Sequence, residues 1–185
     1  MNISKFGRIL ISILILNISF LFGNENIQNF SKLPDIYDIQ ISPNGEMIGV
    51  HRKVDDELVL SIINLNTKER ALYHVFLNYP EGISRVDLKN YRQELIDYYD
   101  NFSTKWDALS QYDREKKIYE SISNLLDISN QNFSQVCSRI RKKFKETVGG
   151  DQYRTYSIES VNGKFKIALD RELVSFGRYT NLLGK

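Results

Sequence analysis

One cysteine, two histidines, three prolines and a single tryptophan are all that this 185-residue chain has of those residue types. The lone Cys137 excludes an internal disulfide. His51 and His74 stand far from it in sequence, so no structural zinc-ligand spacing can be drawn. There is no Gly-x-Ser-x-Gly elbow, no glycine loop of the kind that cradles phosphate, and no metal signature. The acidic Val54–Glu57 stretch reads as a hairpin turn. An excess of charge is also missing: 25 Lys and Arg stand against 23 Asp and Glu, a net charge of +2. Any nucleic-acid surface must therefore be a local patch and not a basic coat. These absences point to a non-enzymatic protein with neither metal nor cofactor.

What is present is enough for a packed core. Hydrophobic residues make up 42% and charged residues 26%, with 11 Tyr and 10 Phe, the composition of a globular chain and not a disordered one. The length suits one ordinary domain, or a small domain with an appendage.

The one long apolar run lies at the start. Lys5 and Arg8 precede Ile9–Phe22, the charge order of a secretory signal, and the run is short for a membrane-spanning helix. Gly23 suits the last position before a cleavage site, whereas Leu21 is large for the position two before it. With Lys5 and Arg8 inside, an uncleaved segment would leave the rest of the chain outside the cytoplasm. Two readings stand: residues 1–24 are a signal or hydrophobic anchor, the only membrane contact expected, or they are a core element of a cytoplasmic protein.

Residues 30–66 are expected to form a short antiparallel meander. Tyr37, Ile39 and Ile41 alternate at period two, Ser42–Gly45 carries turn chemistry, and "LVLSIINL" is a β-branched run. Residues 67–176 then change to helical spacing. Thr67 is placed as the cap of a first helix with Leu72, Val75, Phe76 and Tyr79 inward, ended by Pro80 and Gly82. Ser84 and Asp87 pattern as a capping box for a second helix presenting Leu88, Tyr91, Leu95, Tyr98 and Phe102. A third helix from about Asp113 buries Ile118, Ile122 and Leu125, and Trp106 plugs the connection before it.

The fourth helix holds "NFSQVCSRIRKKFKE", with five basic residues in seven positions. Phe133, Val136, Cys137, Ile140, Phe144 and Val148 make its apolar stripe, and Cys137 reads as packing and not as a nucleophile. Ser134, Gln135, Ser138, Arg141, Lys142 and Lys145 gather opposite. "YRTYSIESV" and "KFKIAL" then flank Asn162-Gly163, a strong hairpin signal. Lys164 and Lys166 alternate with Phe165 and Ile167, which gives the ribbon one basic and one apolar side. The fold class is therefore α+β: a β meander followed by a mainly helical, winged-helix-like domain ending in a β-hairpin.

Three resemblances bear on function. "LPDIYDIQISPNGEMIGV" resembles the opening blade of a prolyl-oligopeptidase-type propeller, over about twenty residues and with no room for the hydrolase domain. "FLNYPEGISRVDL", "SRIRKKF" and "YSIESVNGKFKI" are similar in order to the effector domain of response regulators. The chain departs from that family by an extra helical segment around Lys105 to Asp127, and by "NGKFKI" in the wing. The phrases "RALYHVFLNYPEGIS", "YRQELIDYY", "CSRIRKKF" and "KFKIALDRELVSF" resemble a group of uncharacterised bacterial proteins across residues 60–176, which brings no activity with it. The effector-domain likeness implies DNA contact. Arg141, Lys142 and Lys145 would then meet phosphates, Gln135 and Ser138 would approach base edges, and Lys164 and Lys166 would sit on the wing. The alternative is an exported or membrane-anchored module whose partner is a protein.

Overall fold

The computed structural model describes residues 38–42, 44–54, 57–103 and 109–176. The apolar segment 1–24, Tyr37, the two aspartates of the expected second turn and Trp106 lie outside the described residues.

The protein is α+β, with two sheets among the described residues. Strands β1 (Ile39–Ile41), β2 (Ile48–Val54) and β3 (Glu57–Ile63) form the expected antiparallel meander, with Ile39 opposite Val50 and Ile48 opposite Ile63. The period-two pattern has its physical outcome here, since Ile39, Ile41, Ile48, Val50 and Ile63 are all buried. The Ser42–Gly45 turn closes through the Gly45 amide, which donates to the Ser42 carbonyl at 2.8 Å.

Helix α1 (Thr67–Asn78) begins one residue earlier than the sequence pattern suggests. Asn66, not Thr67, is the cap: its side chain accepts from the Glu69 amide, and Glu69 accepts in return from the Asn66 amide, a reciprocal capping box. The apolar stripe read from sequence understates the burial, because every residue from Ala71 to Leu77 is buried. Helix α1 is the central element, with Tyr73 stacked on Phe144 at 5.2 Å and its hydroxyl donating to the Tyr156 carbonyl.

Past Gly82 the chain forms a two-residue strand, β4 (Ile83–Ser84), then a 3-10 turn over Asp87–Tyr91, and then α2 (Arg92–Asn101). The Asp87 amide donates to Ser84 Oγ at 3.1 Å and closes the turn that leads into this 3-10 segment, whose own cap position is Val86, so the second helix enters one turn later than the capping pattern implies. Helix α3 (Gln111–Leu126) starts at the Ser110 cap and buries Ile118, Ile122 and Leu125 as expected. Helix α4 (Asn132–Val148) buries Phe133, Val136, Cys137, Ile140 and Phe144, with Val148 half-buried.

One turn of helix, α5 (Tyr153–Tyr156), takes up the first half of the expected hairpin arm, and only Ile158–Val161 is strand, β5. Tyr153 and Tyr156 explain the difference: both are buried, which the helical turn achieves and an alternating strand would not. Strand β6 (Lys164–Ile167) returns through Asn162 and Gly163 with φ of 51° and 78°, the paired positive values of the tight hairpin turn. It pairs with β5 on one side and β4 on the other, giving the order β4-β6-β5.

The last described strand, β7 (Val174–Phe176), lies parallel to β1 and completes the first sheet in the order β3-β2-β1-β7. The described residues of 38–66 and those of 67–176 thus contribute to one sheet and one continuous core. Among the described residues no helix is long and apolar enough to cross a membrane.

Candidate nucleic-acid interface

The α3–α4 corner is built by two polar clamps. Arg85, just after β4, donates to the carbonyls of Leu125, Leu126 and Asp127, which the end of α3 leaves without helical partners. Its guanidinium also lies 4.7 Å from the Phe133 ring centroid, joining that helix end to the start of α4. Asp127 holds the turn itself, accepting from the amide and hydroxyl of Ser129 and from Asn130. Those bonds, with the two from Ser129 foremost, keep its carboxyl below the usual range.

On α4, the apolar stripe faces inward and Ser134, Gln135, Ser138, Lys142 and Lys145 are exposed. The basic residues of this helix divide into two sets. Lys142 is 75% exposed, 3.7 Å from Glu146 one turn on. The Lys145 ammonium sits 5.7 Å from the Tyr153 ring centroid. The other three pair with carboxylates on other elements, their side chains still 33–48% exposed. Arg139 and Lys143 both reach the fully buried carboxylate of Glu69 on α1, at 3.1 and 2.6 Å. Arg141 grips Glu159 on β5 through Nε and Nη2, at 2.7 and 2.9 Å. That pairing raises the Arg141 pKa further and occupies its guanidinium fork, while the side chain remains 41% exposed.

The hairpin lies beside this face. Phe165 packs edge-on against Phe133 at 4.7 Å and Ile167 is buried. Lys164 is exposed and Lys166 is half-buried, directly across from Glu159. The structure therefore brings Gln135, Ser138, Lys142 and Lys145 onto one helix face, puts Lys164 and Lys166 on the adjoining ribbon, and commits Arg141 to holding the two together. The sequence carries no signal for Glu69 and Glu159 as partners, because both lie in other elements, far along the chain.

The remaining reactive side chains are separately accounted for. His51 Nδ1 is 2.7 Å from Asp38. His74 is buried against Tyr98 and Phe102, at ring distances of 5.2 and 4.8 Å, on the wall of a cavity of about 430 Å³. Burial lowers its pKa to about 4, the Gly45 backbone accepting from the ring in partial opposition, while Nε2 has no partner. Burial pushes the Cys137 thiol up to about 12, with Arg141 and Arg85 opposing. Among the described residues no group of His, Cys, Asp and Glu could hold a metal ion.

Comparison with protein-family models, with curated proteins and with solved structures yields no match.

Proposed function

We propose that the chain is a non-enzymatic, winged-helix-like module that binds duplex DNA through α4 and the β5–β6 hairpin. The observation that carries this reading is the strand order β4-β6-β5. A strand directly after the first helix receives the second arm of a late hairpin, which is the connectivity of a winged helix. It leaves α4 packed by one face only, with its polar face beside an exposed ribbon turn. Gln135 and Ser138 would approach base edges, while Lys142, Lys145, Lys164 and Lys166 would neutralise phosphates.

Salt dependence tests it. Four phosphate contacts imply a slope of log K against log salt of about −3.5, and Lys142→Ala should lower its magnitude by about 0.9. No binding at low salt by folded protein would overturn the reading.

A protein partner is the second reading, and the internal pairing of Arg139, Arg141 and Lys143 favours it. Three of the five basic residues of the α4 stretch pair within the fold, so Lys142 and Lys145 share the outward face with the uncharged Ser134, Gln135 and Ser138. If residues 1–24 export or anchor the chain, the partner lies outside the cytoplasm. Cell fractionation with amino-terminal sequencing of the mature chain decides that point: a cytoplasmic chain that keeps its first residues would exclude export.

A further inference from the structure

We infer that Arg141 and Glu159 act as a pair of positioning residues, setting the β5–β6 hairpin against α4 so that ribbon and helix present one surface. This deepens the nucleic-acid reading above and rests on it.

The hairpin has few other holds on the helix. Its base is anchored by the buried Ile158 and Ile167, and β4 pairs with β6 over only Ile83 and Ser84. Phe165 makes an apolar contact with Phe133 near the start of α4. Beyond that, the residues from Ser160 to Lys164 are exposed. These apolar contacts act at the base of the hairpin and leave its swing against α4 soft. The Arg141–Glu159 pair removes that freedom, because two parallel N–H···O bonds of 2.7 and 2.9 Å require the guanidinium and carboxylate to lie nearly in one plane. It acts at the middle of α4, about two turns beyond the Phe133–Phe165 contact, and so gives the ribbon a second point of attachment to the helix.

The same geometry explains why Arg141 is not itself a phosphate contact. A phosphate oxygen would have to displace a carboxylate that already occupies the guanidinium fork. Lysine could not replace it, since an ammonium supplies no planar fork.

The test uses the full chain and a mixed-sequence DNA duplex, with dissociation constants measured over a range of salt. Glu159→Gln and Arg141→Lys should each weaken binding about tenfold through lost preorganisation, with the salt slope unchanged. The exchanged double variant R141E/E159R should recover most of that loss, and Lys142→Ala should change the slope as a true contact does. Circular dichroism and the unfolding midpoint identify variants that bind poorly only because they are unfolded. In those, amide exchange at Val161–Lys164 of a folded, milder variant, Glu159→Asp, reads the hairpin directly and should be faster than in the parent. If Glu159→Gln binds more tightly with a slope steeper by about 0.9, Arg141 is a masked phosphate contact and the inference is wrong. Independent effects of the two substitutions, with no recovery on exchange, overturn it while leaving DNA binding intact. Absence of DNA binding by the parent chain removes both readings.

Discussion

Lys143 on α4 donates to Glu69 at the start of α1 at 2.6 Å, and the carboxylate that receives it is fully buried. One acidic side chain therefore closes the α1 capping box, accepts a third bond from Arg139, and ties the first helix of the domain to the last long one. Loss of that carboxylate should be felt in both helices. Glu69→Gln is expected to lower stability by about 2 kcal/mol, the scale of charge-assisted hydrogen bonds whose donors are half-exposed and can return to water. Asn66→Ala, which removes the other half of the box, should cost about 1 kcal/mol. Urea unfolding measures both, with the midpoint lowered at unchanged slope; equal midpoints for parent and Glu69→Gln would show that the network is energetically idle.

His74 should make the fold acid-sensitive. Its imidazole titrates near 6.5 when unfolded and at about 4 when folded, so the unfolded chain takes up the proton first. The contribution is fully present above pH 6.5 and is lost as pH falls from there towards 4, for a total of about 3 kcal/mol. His74→Gln will be less stable at pH 7, and its deficit relative to the parent should shrink as pH falls to 4. A deficit that stays constant over this range would mean that the folded histidine titrates normally.

Cys137 should behave as a small buried hydrophobe. With its thiol pushed up to about 12 and the residue only 4% exposed, a thiol reagent at pH 8 should label folded protein slowly and urea-unfolded protein at once. Cys137→Ser should destabilise by about 1–3 kcal/mol, because a hydroxyl would be buried without an assured partner. Cys137→Ala should be milder. Rapid labelling of the native chain would contradict this placement.

Gly82 admits no side chain. Its φ is 81°, and a Cβ there would lie 2.8 Å from the Phe165 carbonyl oxygen on β6. Gly82→Ala must therefore both strain the backbone and push β4 from the strand it pairs with, at a cost of about 2 kcal/mol or more. The loss should be accompanied by faster amide exchange in β6. A variant with the parent's melting temperature would show that the β4–β6 contact yields freely.

Much of this architecture is legible in the linear chain because its signals are local. The alternation of Ile39 and Ile41, the 3.6-residue spacing of Phe133, Val136, Cys137, Ile140 and Phe144, and the Asn162-Gly163 turn each act within one element. Burial of one face is enough to make such elements form, and the faces read from sequence are the ones that are buried. The short Tyr153–Tyr156 helix escapes that reading because four residues hold barely one helical turn, too little for the spacing to repeat.

Pairing across the chain is different in kind. Nothing within Val174–Phe176 says that it will run parallel to Ile39–Ile41, since three residues hold no usable period and the partner lies at the far end of the described chain. The helical wheel correctly gathers Lys142 and Lys145 with Arg141, yet a wheel contains only one helix. Whether a guanidinium meets water or a carboxylate depends on which element packs alongside, and that was decided by the β5 strand carrying Glu159 to within 2.7 Å. The amino-acid sequence by itself determined the elements and their buried faces, through short-range sterics and hydrophobic periodicity. Only the tertiary structure decided which of the basic side chains hold the fold together and which are left in solvent, because ion pairing depends on distances that exist only once remote segments are packed.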